Sequence, residues 1–257
     1  MITTFGRRAV AAVAGLALAG TGLFGATTAI ATTSAANSAL ACLNALEQPT
    51  FFDNYGQTII SPANHAIRTL TLVNSNACQG AVATVGISKP YSNKVYSAYA
   101  RIGYDGEMHY LASKHQISLA DTGHWRIRQI AVTKNGVTKV KNYDLADIRT
   151  TSVRRASILT GSPKGSIPVN QWFTGYLKAY TSTGSIVPLK GRTMVLQASR
   201  NGLPYKDILV KPNATHANGY YLLGRDLSPY RGHNVRAVFK SPYETIASSY
   251  VYLGVVR

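Results

Sequence analysis

Short runs in which apolar and polar residues alternate recur along most of this chain. Residues 67–73, 125–132 and 172–180 show the pattern most clearly. Alternation with a period of two places one set of side chains on one face of a sheet, so each run predicts a strand buried on one side. Beyond the N-terminal apolar segment, no useful stretch has a helical period. The sequence therefore predicts an all-β protein made of antiparallel sandwiches.

Turn signals separate these runs. Asn135-Gly136 lies between two of them, and Asn-Gly is the strongest short hairpin signal because both residues must take positive φ. The predicted strands of the first half are 67–73, 81–88, 94–104, 108–111, 125–132 and 137–143. Those of the second half are 157–159, 172–180, 193–198, 207–211, 220–223, 234–240 and 248–256. About seven short strands in ~100 residues is the rhythm of an immunoglobulin-like sandwich.

A polar, basic stretch over residues 147–155 is the predicted boundary between two domains. The first immunoglobulin-like domain is predicted over 42–150 and the second over 155–257. In the second domain, Trp172 and Tyr176 are expected to point inward or to lie at the sandwich edge.

The N-terminus has the features of an export signal. Arg7 and Arg8 precede an apolar run over 9–31, and Ala29-Ile30-Ala31 fits the small-x-small cleavage pattern. We therefore predict a signal peptide over residues 1–31 and a secreted, extracellular or cell-wall-associated protein without a membrane span after cleavage. An uncleaved membrane anchor is the alternative, since about 20 apolar residues can span a bilayer.

The chain has two cysteines, Cys42 and Cys78. Two cysteines in an exported protein usually form one disulfide, and we predict this pairing. Free thiols or an intermolecular bridge are the alternatives.

The charge balance is strongly basic, with 27 Lys and Arg against 10 Asp and Glu, a formal net charge of +17. Such a field favours anionic partners, for example cell-wall polymers, acidic polysaccharides, nucleic acid or anionic lipid. Export argues against nucleic acid as the main partner. The alternative is that the charge only keeps an exported protein soluble.

Tyrosines next to cations form the predicted binding faces, because aromatic rings stack on sugars while Lys and Arg attract anions. The alternative is that the 16 tyrosines only fill strand positions, which their β-propensity favours. The candidate pairs are Tyr91 with Lys94, Lys178 with Tyr180, Tyr205 with Lys206, and Tyr230 with Arg231.

No motif identifies a reaction, a cofactor or a metal. The sequence contains no Gly-x-Ser-x-Gly, no phosphate-binding glycine loop and no Cys/His cluster. Calcium needs six to eight oxygen ligands, and the closest acidic pairs, Asp105 with Glu107 and Asp144 with Asp147, fall short. We therefore predict no catalytic residues, no metal site and no cofactor. A secreted hydrolase or hydrolase inhibitor with a site in its loops is the alternative.

Five short sequence blocks lie in order over residues 155–257. The blocks are Gly175-Tyr176-Leu177-Lys178-Ala179, Val187-Pro188-Leu189-Lys190-Gly191, Val195-Leu196-Gln197, Asn218-Gly219-Tyr220 and Arg236-Ala237-Val238-Phe239. In order and spacing they resemble the bacterial immunoglobulin-like domains of secreted actinobacterial proteins, and Gly123-His124-Trp125 marks a weaker similarity in the first half. The resemblance implies two immunoglobulin-like domains in tandem. With the charge, it predicts a non-catalytic binding, adhesion or structural module for an anionic polymer, a carbohydrate or another protein.

Overall fold

The computed structural model describes residues 25–257, except 54–55, 74, 103–108, 145–149, 201 and 243–244. The one α-helix of the described residues, α1, covers Gly25–Ala45. Most of the predicted signal peptide lies outside the described residues, and the predicted cleavage position after Ala31 falls within α1. No helix in the described part of the chain combines the length and the apolar character needed to cross a membrane.

The first half of the chain folds into two facing sheets. A three-stranded sheet has the order β1-β3-β6, and a six-stranded sheet has the order β2-β9-β7-β4-β5 with β8 also paired to β7. The strands are β1 (Thr50–Phe51), β2 (Gln57–Ile60), β3 (Ala66–Val73), β4 (Val82–Ser88), β5 (Tyr96–Arg101), β6 (His109–Gln116), β7 (Gly123–Lys134), β8 (Val137–Asn142) and β9 (Thr150–Arg155).

The core of this sandwich forms around Trp125, which is completely buried on β7. Its indole Nε1 donates to the carbonyl of Asp121 at 2.8 Å, so the buried polar atom has a partner. The helix α1 covers one side of the core with Leu43, and Cys42 at its C-terminal end bonds to Cys78. The predicted disulfide is therefore confirmed, and it fixes the helix to the sandwich.

The predicted hairpin at Asn135-Gly136 is also confirmed. The two residues have φ angles of 52° and 75° and connect β7 to β8. Both angles are positive, as a two-residue turn that matches strand twist requires.

The second half of the chain forms a second pair of facing sheets. One has the order β10-β12-β13 with β16 also paired to β12, and the other has the order β11-β18-β17-β14-β15. The strands are β10 (Ser157–Leu159), β11 (Gly165–Ile167), β12 (Trp172–Tyr180), β13 (Ile186–Pro188), β14 (Met194–Ser199), β15 (Lys206–Lys211), β16 (Tyr220–Gly224), β17 (Asn234–Phe239) and β18 (Ser249–Val256).

Strand β12 shows how the alternating pattern builds the second core. Phe173, Leu177 and Ala179 are buried between the sheets, whereas Trp172 and Tyr176 are exposed on the outer face. The expected inward direction of Trp172 and Tyr176 is therefore wrong. The period-two pattern has two faces. The wholly apolar face of Phe173, Leu177 and Ala179 occupies the core, while the amphipathic rings of Trp172 and Tyr176 remain at the surface.

Both sandwiches have the immunoglobulin-like strand order. In the second, β14, β17 and β18 occupy the places of strands C, F and G, with β15 as C′, while β10, β12 and β16 correspond to A, B and E. The first sandwich repeats this order with β4, β7, β9 and β5 opposite β1, β3 and β6. The predicted all-β, immunoglobulin-like architecture is confirmed, and most of its strand pairs are antiparallel.

Two edge pairs are parallel rather than antiparallel. Strand β2 pairs with β9, and β11 pairs with β18, so each sandwich joins an early strand to its last one. In the second pair Gly254 faces Gly165 with a φ of 145°, and a Cβ at Gly254 would lie 1.8 Å from the Gly165 carbonyl oxygen. Only glycine fits this close approach.

The buried apolar residues fall into two clusters, one from residues 42–153 and one from residues 167–256. Strand β9 occupies the stretch where the sequence predicts a connection, and only Ala156 separates it from β10. Arg155 links the two parts: its N–H donates to the Thr245 carbonyl at 2.9 Å, and its carbonyl accepts from the Ala247 N–H at 2.8 Å.

Removal of the disulfide tests its contribution to stability. A crosslink between residues 36 positions apart is expected to stabilise the fold by about 3 to 4 kcal/mol, since it limits the freedom of the unfolded chain. We expect the double variant Cys42→Ser/Cys78→Ser to lose that amount in urea unfolding. Reduced wild-type protein is the control and should match the variant; unchanged unfolding midpoints in both would contradict the prediction.

A buried histidine predicts a pH-dependent stability. His115 on β6 is 2% exposed, its Nε2 lies 3.1 Å from Thr69 Oγ1, and desolvation lowers its pKa from 6.5 to about 4. The unfolded chain therefore takes up the proton first as the pH falls, and the free energy of unfolding decreases between pH 6.5 and about 4. The expected loss is up to about 3 kcal/mol.

Urea unfolding of the wild type and of His115→Gln between pH 7 and 4 measures this loss. Glutamine does not gain a proton, so the difference between the two proteins should shrink as the pH falls. If the free energies of unfolding of the two proteins change in parallel with pH, His115 does not cause the loss of stability.

Candidate functional site

The four predicted pairs of tyrosine and cation lie in four separate places. In each pair, one member makes a cation–ring contact, but its partner is a residue other than the predicted one. The contacts are Lys94–Tyr96, Lys178–Tyr176, Arg225–Tyr230 and Arg236–Tyr205. The structure therefore does not bring the predicted residues into one face.

The first pair lies in the connection between β4 and β5. Tyr91 has a positive φ of 60° and is 92% exposed. Lys94 Nζ lies 4.6 Å from the ring centroid of Tyr96. Tyr96 in turn packs edge-on against Trp125 and donates to Asp121 Oδ2 at 3.0 Å. Lys94 thus extends a cluster that is anchored in the core.

The second pair lies on the outer face of the β12 sheet. Lys178 Nζ is 5.7 Å from the ring centroid of Tyr176, whose ring packs edge-on against Tyr220 at 5.7 Å. Further along the same strand, Trp172 is 56% exposed and lies across Gly224, where an added Cβ would meet the indole at 2.3 Å. The absence of a side chain at Gly224 therefore determines where the indole lies.

The pair at Tyr230 and Arg231 lies at the turn before β17. The ring of Tyr230 contacts the guanidinium carbon of Arg225 at 5.2 Å and meets His233 edge-on at 5.7 Å. Arg231 is exposed. The cation that contacts the Tyr230 ring is therefore Arg225, which precedes the turn, and not Arg231.

The most extended arrangement lies on the outer face of the β11-β18-β17-β14-β15 sheet. Arg236 on β17 lies between two tyrosines, with its guanidinium carbon 3.8 Å from the ring centroid of Tyr205 and 4.9 Å from that of Tyr250. We call Tyr205, Arg236, Tyr250 and the polar residues bonded to them the tyrosine–arginine face. Lys206, next to Tyr205, is the register partner of Ala198, a core residue of β14. Its side chain therefore leaves the sheet on the side opposite to Gln197 and Arg236.

Hydrogen bonds fix Arg236 in this position. Its Nε donates to Gln197 Oε1 at 2.8 Å, and Gln197 Nε2 donates to Asp207 Oδ1 at 2.6 Å. Lys240 Nζ completes the chain at 2.7 Å from Asp207 Oδ2. The hydrogen bond from Lys240, followed by that from Gln197, holds the pKa of Asp207 below its ordinary value. The network joins β14, β15 and β17, so the guanidinium is held before any partner arrives.

The tyrosines of this face remain accessible although the layer beneath them is buried. Tyr250 is 65% exposed and Tyr252 46%, whereas Gln197 and Val238 are buried on the same side of the sheet. Tyr252 is held by a 2.8 Å hydrogen bond from its hydroxyl to Asn234 Oδ1. The face thus offers oriented aromatic rings beside a fixed cation, which suits stacking on a sugar or contact with an anionic group.

Period-two alternation was the signal that could have found two of these contacts. Tyr176 and Lys178 are two positions apart on β12. Lys94 likewise lies two positions before Tyr96, the first residue of β5. The stack of Tyr205, Arg236 and Tyr250 needs the register of separate strands, which no local pattern reveals.

Among the described residues, no three His, Cys, Asp or Glu side chains gather into a possible metal site. Of the acidic pairs weighed for calcium, Asp105, Glu107 and Asp147 lie outside the described residues. The prediction that the chain carries no catalytic residue, metal or cofactor stays a prediction.

Comparisons with known proteins give no family. No protein-family model and no curated protein matches the chain. Among solved structures, it is similar to red sea bream transglutaminase (10% identity, 83% of this chain and 31% of that one, TM-score 0.34). It is also similar to E. coli alpha-2-macroglobulin (12%, 80% and 14%, TM-score 0.34) and to a marsupial T cell receptor (11%, 82% and 72%, TM-score 0.31). The chain thus spans less than a third of the first two.

The stacked arginine predicts a local contribution to stability. Arg236→Met keeps the length of the side chain but removes the charge over both rings and the hydrogen bond to Gln197. We expect the free energy of unfolding to fall by about 1 to 2 kcal/mol in urea titrations. Arg200→Met, at an exposed position after β14, is the matched control and should change it by less than ~0.5 kcal/mol. Equal effects of the two substitutions would contradict a stabilising stack.

Proposed function

We propose that this protein is a non-catalytic binding module that attaches to anionic polysaccharide outside the cell. The tyrosine–arginine face is the observation that carries the proposal. It presents the exposed rings of Tyr250 and Tyr252. Arg236 lies beside them, and its position is fixed by the rings of Tyr205 and Tyr250 and by the hydrogen bond to Gln197. Side chains that are already ordered lose little entropy on binding, so a preformed face favours attachment.

The chemistry of this face suits a charged sugar polymer. Tyrosine rings stack on the apolar face of a sugar ring, and the guanidinium supplies a positive charge at a fixed place. The formal net charge of +17 strengthens the attraction, because the summed field of the protein draws a polyanion to the surface. A polymer also contacts several faces at once, and avidity adds to the affinity of each.

The location outside the cell rests on the predicted signal peptide over residues 1–31 and on the disulfide. The bond between Cys42 and Cys78 is typical of an oxidising compartment. We include in the proposal that the two immunoglobulin-like sandwiches are two domains of one exported chain, and that the cell wall or its polymers are the setting in which it acts.

Retention on immobilised dextran sulfate, with neutral dextran as the reference, tests this function. We expect the wild-type protein to bind dextran sulfate but not dextran, and retention to fall steeply between 50 and about 500 mM salt as screening shortens the reach of the charges. The double variant Tyr205→Ala/Tyr250→Ala should bind about tenfold more weakly, since it loses two ring contacts of roughly 0.5 to 1.5 kcal/mol each.

Tyr99→Ala is the matched control, because Tyr99 is an exposed tyrosine of the first sandwich, on β5. It should bind as the wild type does. The assignment to the tyrosine–arginine face is overturned if retention does not change with salt concentration. It is also overturned if Tyr99→Ala reduces retention as much as the double variant does.

A further inference from the structure

A cavity lies on the first sandwich, where β7 changes its pairing partner. The C-terminal part of β7 pairs with β8 from Gln129 onward, and its N-terminal part pairs with β9 up to Arg126. Ile127 and Arg128 lie between the two partners. The cavity, of about 360 Å³, is lined by Arg126, Arg128, Gln129, Asn142, Tyr143 and Asp144.

Two arginines form one wall of this cavity. Arg126 and Arg128 are two positions apart on β7, and the intervening Ile127 is buried in the core, so both arginines project from the outer face of the sheet. Arg128 is held in place because its Nη1 donates to the Ser92 carbonyl at 3.1 Å. Two neighbouring guanidinium groups are the arrangement that proteins use to bind carboxylate, sulfate or phosphate groups.

One unsatisfied polar atom lies at this wall, and a second lies on the neighbouring strand, outside the cavity lining. Arg126 Nε is buried, and it has no hydrogen-bond partner among the described residues. Ser88 is its register partner on β4 and is completely buried, and the Ser88 hydroxyl likewise has no partner in the described part of the chain. Side chains of register partners share one face of a sheet, so both unsatisfied groups lie on the outer side at the same level. Buried polar atoms are nearly always satisfied, and an exception indicates local strain or a water or ion bound there. At Arg126 the adjoining cavity favours a bound group.

The remaining lining residues select among anions. Asn142 and Gln129 offer amide donors and acceptors, and Asp144 places an exposed carboxylate at the same cavity. A bare sulfate or phosphate would meet the two guanidinium groups but would be repelled by Asp144. A sugar acid instead has one anionic group for the arginines and hydroxyls that donate to Asp144. Burial raises the pKa of Tyr143, which keeps its phenol neutral beside such a ligand.

We infer that this cavity binds one carboxylated sugar residue, such as a uronate. The carboxylate lies against Arg126 and Arg128, and the ring hydroxyls contact Asn142, Gln129 and Asp144. The size of the cavity is that of a small-ligand site. The inference is independent of the tyrosine–arginine face, which belongs to the other sandwich.

Calorimetric titration of the full chain tests the inference, with D-galacturonate, D-galactose, sodium phosphate and sodium sulfate as probes. We expect galacturonate to bind at least tenfold more tightly than galactose, phosphate or sulfate. Arg126→Gln should weaken galacturonate binding at least tenfold, whereas Arg200→Gln, at an exposed position of the second sandwich, should leave it unchanged. A comparison of galacturonate with trigalacturonate shows whether the cavity binds the end of a polymer or one of its internal units.

Two further variants keep the test decisive. Asn142 is exposed, so Asn142→Asp should fold normally, and its added carboxylate should weaken galacturonate binding while leaving galactose unaffected. Tyr205→Ala/Tyr250→Ala should bind galacturonate as the wild type does, which separates this site from the face that holds the polymer. The inference is overturned if the wild type does not bind galacturonate, if phosphate or sulfate binds as tightly, or if neither Arg126→Gln nor Asn142→Asp weakens binding.

Discussion

Each sandwich depends on apolar side chains that two sheets bury between them. Trp125 in the first and Phe173 in the second have no exposed surface, and burying side chains of this size contributes roughly 1.5 to 3 kcal/mol each. The side chains on the inner faces of the central strands are buried in this packing. Any ligand must therefore meet the outer faces or the ends of the sheets, where Arg236 and Arg126 lie. Function in such a fold is determined by the side chains that alternation leaves outside.

The sequence predicted the strands that pack in the middle of the sheets, because these need a regular apolar face. Residues 172–180 were predicted as one strand, and β12 has those bounds. The strands that were missed are short and lie mostly at sheet edges, as β11 does, or are polar, as β9 is. An edge strand is specified by its neighbour's backbone more than by its own side chains, so its sequence carries little periodicity. The part of α1 beyond residue 31 was not predicted for a similar reason. Its alanines favour a helix, but its sequence has no amphipathic stripe.

The sequence could predict which residue types form the candidate sites, but not which residues contact one another. Tyrosines and cations were expected at the surface, and Tyr205 is indeed one of the two rings that enclose Arg236. Its sequence neighbour Lys206 cannot join that contact because it lies on the other side of the strand. The partner instead comes from β17, some thirty positions away in the chain, and only strand register brings the two together. The same holds for Ser88 and Arg126, whose shared lack of partners becomes visible once β4 and β7 are paired.

The two parallel edge pairs have a mechanical consequence. In each sandwich the last strand, β9 or β18, is hydrogen-bonded to a strand near its beginning that runs in the same direction. A force that pulls the two ends of a sandwich apart therefore acts along these hydrogen bonds in shear and loads them together, rather than opening them one at a time as in a hairpin. A chain that holds a polymer under flow or growth stress gains resistance from this geometry. Its strength under load is then set by the backbone at the edges of the sheets and not by the depth of its cores.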